Sequence, residues 1–248
     1  MYTAFSPRHV RLAAILCGTV LALTSVRPVF AEDPPSPHHE KKPLAISSEE
    51  ALKRLMEGNR RFVELKSKHP HQTLDWRAEL EAGQHPFAVI LGCADSRVPP
   101  ELLFDQGLGD LFVVRVAGNI VDTDVRGSVE YAVDHLETPL VLVLGHTRCG
   151  AVTAALDQAT DSPTEPEEIV SLLYRIEPAL KGLSEIKDRE ARVNEAVKRN
   201  VQLAVQRLAQ TPDLIRSQKS GKLKIMGGVY DMHTGKIEFL KDASTPKE

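Results

Sequence analysis

A chain of 248 residues with 31 basic and 34 acidic side chains, a formal charge of −3, offers no cationic excess to a nucleic acid or an anionic membrane surface. The length suffices for one α/β domain with a substantial core. Any function therefore has to be sought in local clusters of reactive side chains.

Residues 1–31 have the layout of a signal peptide. Arg8 and Arg11 form a basic start, 12–23 is an apolar run, and Val29-Phe30-Ala31 is a small-residue cleavage signal before Glu32. The run is short for a membrane span, so removal is expected rather than anchoring. The expected product is periplasmic or secreted, with no stable membrane anchor. Cys17 follows Leu16 rather than a small residue, which argues against lipid attachment, and it leaves with the leader. The leader holds three arginines and no acid, so the remaining 217 residues (248 less 31) carry 28 basic and 34 acidic groups, a charge of −6, and two cysteines, Cys93 and Cys149. Residues 32–46, with Pro34, Pro35, Pro37 and Pro43, read as a flexible tether. A single catalytic domain is expected over 47–248.

Ser47-Ser48-Glu49-Glu50 fits a capping box, and Leu52, Leu55, Met56, Asn59, Phe62 and Val63 then recur at helical spacing. Trp76 sits in a second short helical stretch and is read as a packing anchor. Three short runs rich in Val, Leu and Ile, at 87–91, 111–116 and 140–144, have the composition of buried strands. Segments long enough for crossover helices separate them, one marked by Val125, Val129, Val133 and Leu136. This alternation predicts an α/β fold with a mostly parallel central sheet flanked by helices and an N-terminal helical arm. After a loop over 161–168, Ile169, Leu172, Leu173, Ile176 and Leu180 define one amphipathic segment. Val193, Ala196, Val197, Val201, Ala204, Val205 and Leu208 define another. Leu223, Ile225, Gly227 and Val229 alternate as a later strand, and Thr234-Gly235 leads back into 237–240, a C-terminal antiparallel strand or hairpin.

Two stretches carry the chemistry. Leu91-Gly92-Cys93-Ala94-Asp95-Ser96-Arg97 and Gly145-His146-Thr147-Arg148-Cys149-Gly150 supply two thiols and an imidazole, the donors zinc prefers. Cys93, His146 and Cys149 would give a Cys2His set with one open place. The His-x-x-Cys spacing suits a loop entering a helix, whose N-terminus favours a thiolate. Cysteines 56 positions apart are also compatible with a disulfide in an oxidising compartment. The neighbouring His146, and the position of both motifs at strand ends, point to metal instead. Asp95 and Arg97 read either as partners of the metal or as an ion pair closing a loop.

Cys-Ala-Asp-Ser-Arg followed after 47 residues by Gly-His-Thr-Arg-Cys-Gly resembles the β-class carbonic anhydrases. The likeness extends through Phe104-Asp105-Gln106-Gly107, Val114-Arg115-Val116-Ala117-Gly118-Asn119, Glu130-Tyr131-Ala132-Val133 and Gly228-Val229-Tyr230-Asp231, roughly 47–240. It implies zinc-dependent reversible hydration of CO2 to bicarbonate and a proton, by attack of zinc-bound hydroxide on CO2, with one Zn2+ per subunit held by Cys93, His146 and Cys149. It assigns Asp95 and Arg97 as catalytic. Asp95 is held by Arg97 in an open site or, in some members, closes the site as a fourth zinc ligand; Arg97 is expected to select the open arrangement. Gln84, nine before Cys93, stands where the plant-like branch has an amide that hydrogen-bonds bicarbonate across a subunit boundary. Phe112 and Tyr131 match pocket-lining aromatics, although plain core packing also accounts for Phe112. The shared site implies a homodimer or higher homo-oligomer. Gly118 and Asn119 read as shaping a turn, and His135 as a surface residue. Another branch places a Trp three before the first Cys to hold a non-catalytic bicarbonate; Ile90 occupies that place here, against such regulation. A hydrolase of a CO2-like molecule such as carbon disulfide, or a non-enzymatic zinc-stabilised module, are the alternative readings.

Overall fold

The computed structural model describes residues 46–158 and 165–240. The expected leader, the tether apart from Ile46 and the first half of the 161–168 loop lie outside the described residues. Helix α1 (Ser48–Val63) begins where the Ser47 hydroxyl accepts a hydrogen bond from the Glu50 N–H at 3.2 Å. Glu49 and Glu50 in its first turn and Arg60 and Arg61 in its last complement the helix dipole. Buried Asn59 ties α1 to distant chain: its amide donates to the carbonyls of Leu103 and Gly235 at 3.1 and 2.9 Å and accepts from the Ile237 N–H at 3.2 Å. Helix α2 (Leu74–Glu79) carries Trp76, which stacks on His71 with centroids 4.0 Å apart and donates from Nε1 to the Leu108 carbonyl. That is a packing role.

Among the described residues five strands form one sheet: β1 (Ala88–Gly92), β2 (Leu111–Arg115), β3 (Leu140–His146), β4 (Lys224–Tyr230) and β5 (Ile237–Leu240), in the order β2-β1-β3-β4-β5. All neighbours are parallel except β4 and β5, which pair antiparallel. Both β1 and β3 are buried at every position, and β2 at the edge is only half-buried. This is why the two central strands read as unbroken apolar runs.

The remaining helices are α3 (Pro100–Leu103), α4 (Thr123–Asp134), α5 (Gly150–Gln158), α6 (Glu167–Ile176), α7 (Arg189–Ala209) and α8 (Pro212–Lys219). Leu136, expected inside the crossover helix, falls beyond α4, because Glu137 turns left-handed at φ 55° and Pro139 disfavours helix at Thr138. The segment expected to run from Ile169 to Leu180 stops being α-helical at Ile176 and continues as a 3-10 turn over Glu177–Leu180. Pro178 has no N–H to continue the ladder. Helix α7 lies close across β3 and β4: a Cβ at Gly145 or Gly227 would come within 2.5 or 2.6 Å of the Val201 methyls. Glycine at both positions lets the helix seat on the sheet. Among the described residues no helix is long and apolar enough to cross a membrane.

The strand order positions the site. β1 has β2 on one side and β3 on the other, so the chain leaves β1 in one direction and re-enters the sheet at β3 in the other. The carboxyl ends of β1 and β3 bound the crevice that such a reversal opens.

Candidate metal centre

Cys93 follows directly on β1, and His146 is the last residue of β3. The pairing of Gly92 with Leu144 brings these positions side by side although 53 residues separate them. Cys149 sits immediately before α5, three residues past His146, as the motif spacing requires. The two Sγ atoms and the imidazole nitrogen all lie within 4.8 Å of one another, and all three side chains are buried.

The donor chemistry fits a metal. The sulfurs are 4.0 Å apart, close to the roughly 3.8 Å that two bonds of about 2.3 Å make at a tetrahedral ion, and both cysteines are free. His146 Nδ1 lies 3.0 Å from the Thr147 carbonyl. A carbonyl can only accept, so Nδ1 carries the hydrogen and Nε2 presents a bare lone pair. That Nε2 is buried without a hydrogen-bond partner, which is costly unless something outside the protein satisfies it. Of the two thiols, Cys93 is the more acidic. The Cys149 S–H donates to it, opposing the cost of burial, and the backbone N–H groups of Asp95 and Gly118 add to this. Cys149 is pushed up because it is that donor and is itself buried. A cation would replace the proton that the pair shares.

Beside this cluster Asp95 is gripped by Arg97. Arg97 Nε donates to Oδ1 at 2.9 Å and Nη2 to Oδ2 at 2.7 Å, and the Arg97 N–H adds a third bond to Oδ1 at 3.0 Å. Chiefly through the side-chain bonds, Arg97 holds the Asp95 carboxyl far below the usual carboxylate range. Asp95 Oδ2 lies 3.9 Å from His146 Nε2, so a carboxylate borders the point on which the donors converge. Asp95 and Arg97 also remain partly exposed, leaving the centre open on that side.

Two positions that the sequence reading did not single out as functional also build the site. Arg115 closes β2 and donates from Nε to the Cys93 carbonyl at 2.9 Å and from Nη2 to the Asp95 carbonyl, clamping the loop that carries both. Its only signal in sequence is a charge ending an apolar strand. Gly118, in the following turn, donates its N–H to Cys93 Sγ at 3.3 Å.

The other sequence candidates lie elsewhere in the subunit. Phe112 pairs with Val89 near the start of β1, four residues and about 13 Å of strand short of Cys93. Tyr131 on α4 packs 6.4 Å from Phe112 and 5.0 Å from exposed His135, and is 49 % exposed. Gln84 is exposed in the chain entering β1, at the sheet edge opposite the metal donors. None of the three lies beside the metal donors of its own chain.

Residues 88–237 match the carbonic anhydrase family model. The chain is 46 % identical over 193 residues to carbonic anhydrase 2 of Mycobacterium tuberculosis, covering 77 % of this chain and 92 % of that protein. It is 41 % identical over 195 residues to the carbonic anhydrase of Mycolicibacterium smegmatis, covering 76 % and 91 %. Among solved structures it is similar to a tetrameric β-carbonic anhydrase of Sordaria macrospora, with TM-score 0.63 and 26 % identity over 77 % of this chain and 98 % of that one. It is also similar to a Coccomyxa β-carbonic anhydrase in complex with acetazolamide, with TM-score 0.62 and 28 % identity over 76 % and 86 %.

Proposed function

The chain belongs to the β-class carbonic anhydrase family, and from that premise we propose that it catalyses the zinc-dependent, reversible hydration of carbon dioxide to bicarbonate and a proton. The observation that carries this reading is the convergence of Cys93, Cys149 and a bare His146 Nε2 beside an Arg-held carboxylate. Cys93, His146 and Cys149 would hold one Zn2+ per subunit. Carbon dioxide is a weak electrophile and neutral water holds little hydroxide; bound zinc supplies the Lewis acidity that brings the pKa of water from about 15.7 to about 7.

The chain's own residues do the rest. Asp95 stays ionised across the working pH range, so it accepts a hydrogen bond from the attacking water and orients it, and it does not serve as the base at neutral pH. Arg97 fixes the Asp95 carboxylate in that role, and Arg115 fixes the loop beneath it. The proton released leaves to solvent past the open rim. A purely structural zinc would need neither Asp95 nor Arg97.

The site is shared in a homodimer or larger homo-oligomer, in which Gln84, Phe112 and Tyr131 serve the centre of the partner subunit. Their distance from their own metal donors and the exposure of Tyr131 support this, as does the tetrameric assembly of the Sordaria relative. Gln84 with Ile90 favours the plant-like arrangement. The leader directs the enzyme to the periplasm or the exterior. The test is stopped-flow CO2 hydration from about pH 6.5 to 9 by the zinc-loaded mature chain, whose first residue on N-terminal sequencing is Glu32. Hydration is expected to rise with pH and to vanish with the bound zinc in Cys149→Ser; a fully zinc-loaded protein inactive at every pH would refute the reading.

A further inference from the structure

Asn200 on α7 is a buried amide in the helix face that otherwise presents Val193, Ala196, Val197, Val201 and Ala204 to the core. It is 2 % exposed, and its Nδ2 donates to the Gly118 carbonyl at 2.8 Å, across 82 residues of sequence. The same Gly118 contributes the N–H that points at Cys93 Sγ. Gly118 is held left-handed at φ 69°, and a Cβ there would come 2.8 Å from Ile176 Cδ1 and 3.2 Å from Ala151 Cβ. Only glycine fits.

We propose that Asn200 is a positioning residue for the metal centre, acting through the Gly118 turn to aim a backbone N–H at the Cys93 sulfur. This rests on the reading that Cys93 is a zinc ligand. A hydrogen bond to a thiolate draws charge from the sulfur and fixes its direction, and a donor that engages the Gly118 carbonyl fixes the turn from which the N–H is aimed. Val201, the next residue, seats α7 on the sheet in the notch that Gly145 and Gly227 leave. Packing thus fixes the helix on the sheet, and the Asn200 amide makes the polar tie from the helix to the metal loop. Neither Asn200 nor Gly118 touches the reacting groups, so the effect falls on the ligand.

The experiment compares wild type, Asn200→Leu, Asn200→Asp and Val201→Ala as full-length protein. Zinc dissociation constants are measured by chelator competition, and the sulfur-to-cobalt charge-transfer band is recorded after Co2+ substitution. Leu removes the donor at similar volume, and Asp keeps the shape but sets an oxygen against the Gly118 carbonyl; if the Leu protein does not fold, the Asp protein decides. Loss of the donor is expected to weaken zinc about 10-fold or more and to move the charge-transfer band to lower energy. Val201→Ala, which loosens packing on the same turn but keeps the amide, leaves the band unmoved and zinc affinity within about threefold. Asn200 variants with wild-type affinity and band would overturn the proposal, as would a Val201→Ala protein that loses zinc equally. A wild type without a thiolate–cobalt band would instead remove the zinc reading itself.

Discussion

Arg97→Ala separates holding the metal from using it. In the wild type, three donors from Arg97 occupy the two oxygens of Asp95, and Oδ2 stands 3.9 Å from His146 Nε2. Ligand bonds of about 2.0–2.1 Å at tetrahedral angles put a nitrogen and an oxygen roughly 3.4 Å apart. Asp95 therefore stands only about half an ångström outside ligand distance from the imidazole. The guanidinium fork is what keeps it there. Removing the fork leaves a single backbone bond to Oδ1 and frees Oδ2 to compete for the fourth position on the metal. Zinc content is then expected to stay near one per subunit, since Cys93, His146 and Cys149 are untouched. Activity is expected to fall on the order of 100-fold, the typical cost of losing alignment by about 1 Å. Arg97→Lys, with charge but no planar fork, falls in between. The assay pairs stopped-flow hydration with metal analysis of the same samples. Loss of zinc from Arg97→Ala would make Arg97 a structural residue and refute this reasoning, and so would near-normal turnover.

Two other outcomes follow from burial and from strand register. Burial alone would raise the pKa of Asp105, but the Lys68 N–H, Arg61 and the His69 N–H overcome it and hold the carboxyl below its ordinary value. A carboxylate depressed in the fold stabilises fully above its unfolded pKa of about 3.9, and that contribution is lost as pH falls through the lower folded value. Wild type should therefore lose urea resistance below about pH 4 more steeply than Asp105→Asn, which already costs about 3 kcal/mol at neutral pH; parallel profiles would contradict the assignment. If Gln84 serves the partner's centre, Gln84→Ala and Cys149→Ser are each weak alone, yet unfolding and refolding them together restores activity. Equal mixing makes half the dimers hybrid with one intact site each, about a quarter of the wild-type rate per subunit. No recovery in verified hybrids would place Gln84 outside the shared site.

The sequence exposed those features in which residue type and spacing coincide with the role. Cys93, His146 and Cys149 announce a metal because few other tasks call for two thiols and an imidazole at strand ends, and β1 and β3 are legible because full burial leaves an unbroken apolar run. Arg115 and Gly118 act through backbone atoms, and a carbonyl or N–H leaves no mark on residue identity. Asn200 did leave one, a polar side chain at a core position of a helical stripe, but its partner is known only once α7 is seated on the sheet. Where a helix ends was less legible than that it exists: a left-handed Glu137 ahead of Pro139 overrode the apolar period that pointed on to Leu136.

Two left-handed residues adjoin the metal donors. Asn119, one residue past Gly118, has φ 44°, and Arg148, one before Cys149, has φ 57°, a conformation that costs of order 1–2 kcal/mol for an L-residue. Each has a backbone hydrogen-bond partner nearby. The Asn119 N–H donates to the Val116 carbonyl at 2.9 Å, while the Arg148 carbonyl accepts from Arg97 Nη2 at 3.4 Å. Arg97 therefore touches the second ligand loop as well as Asp95, so its guanidinium links the two motifs that the sequence separates. A fully buried β3 pins one end of the 146–149 loop and α5 the other, and the chain turns Cys149 back toward His146 through the left-handed Arg148. The rigidity of the sheet thus makes the strained loop sustainable. The same rigidity holds the metal donors at fixed separation, so the centre is preorganised by the core rather than by the loops that display it.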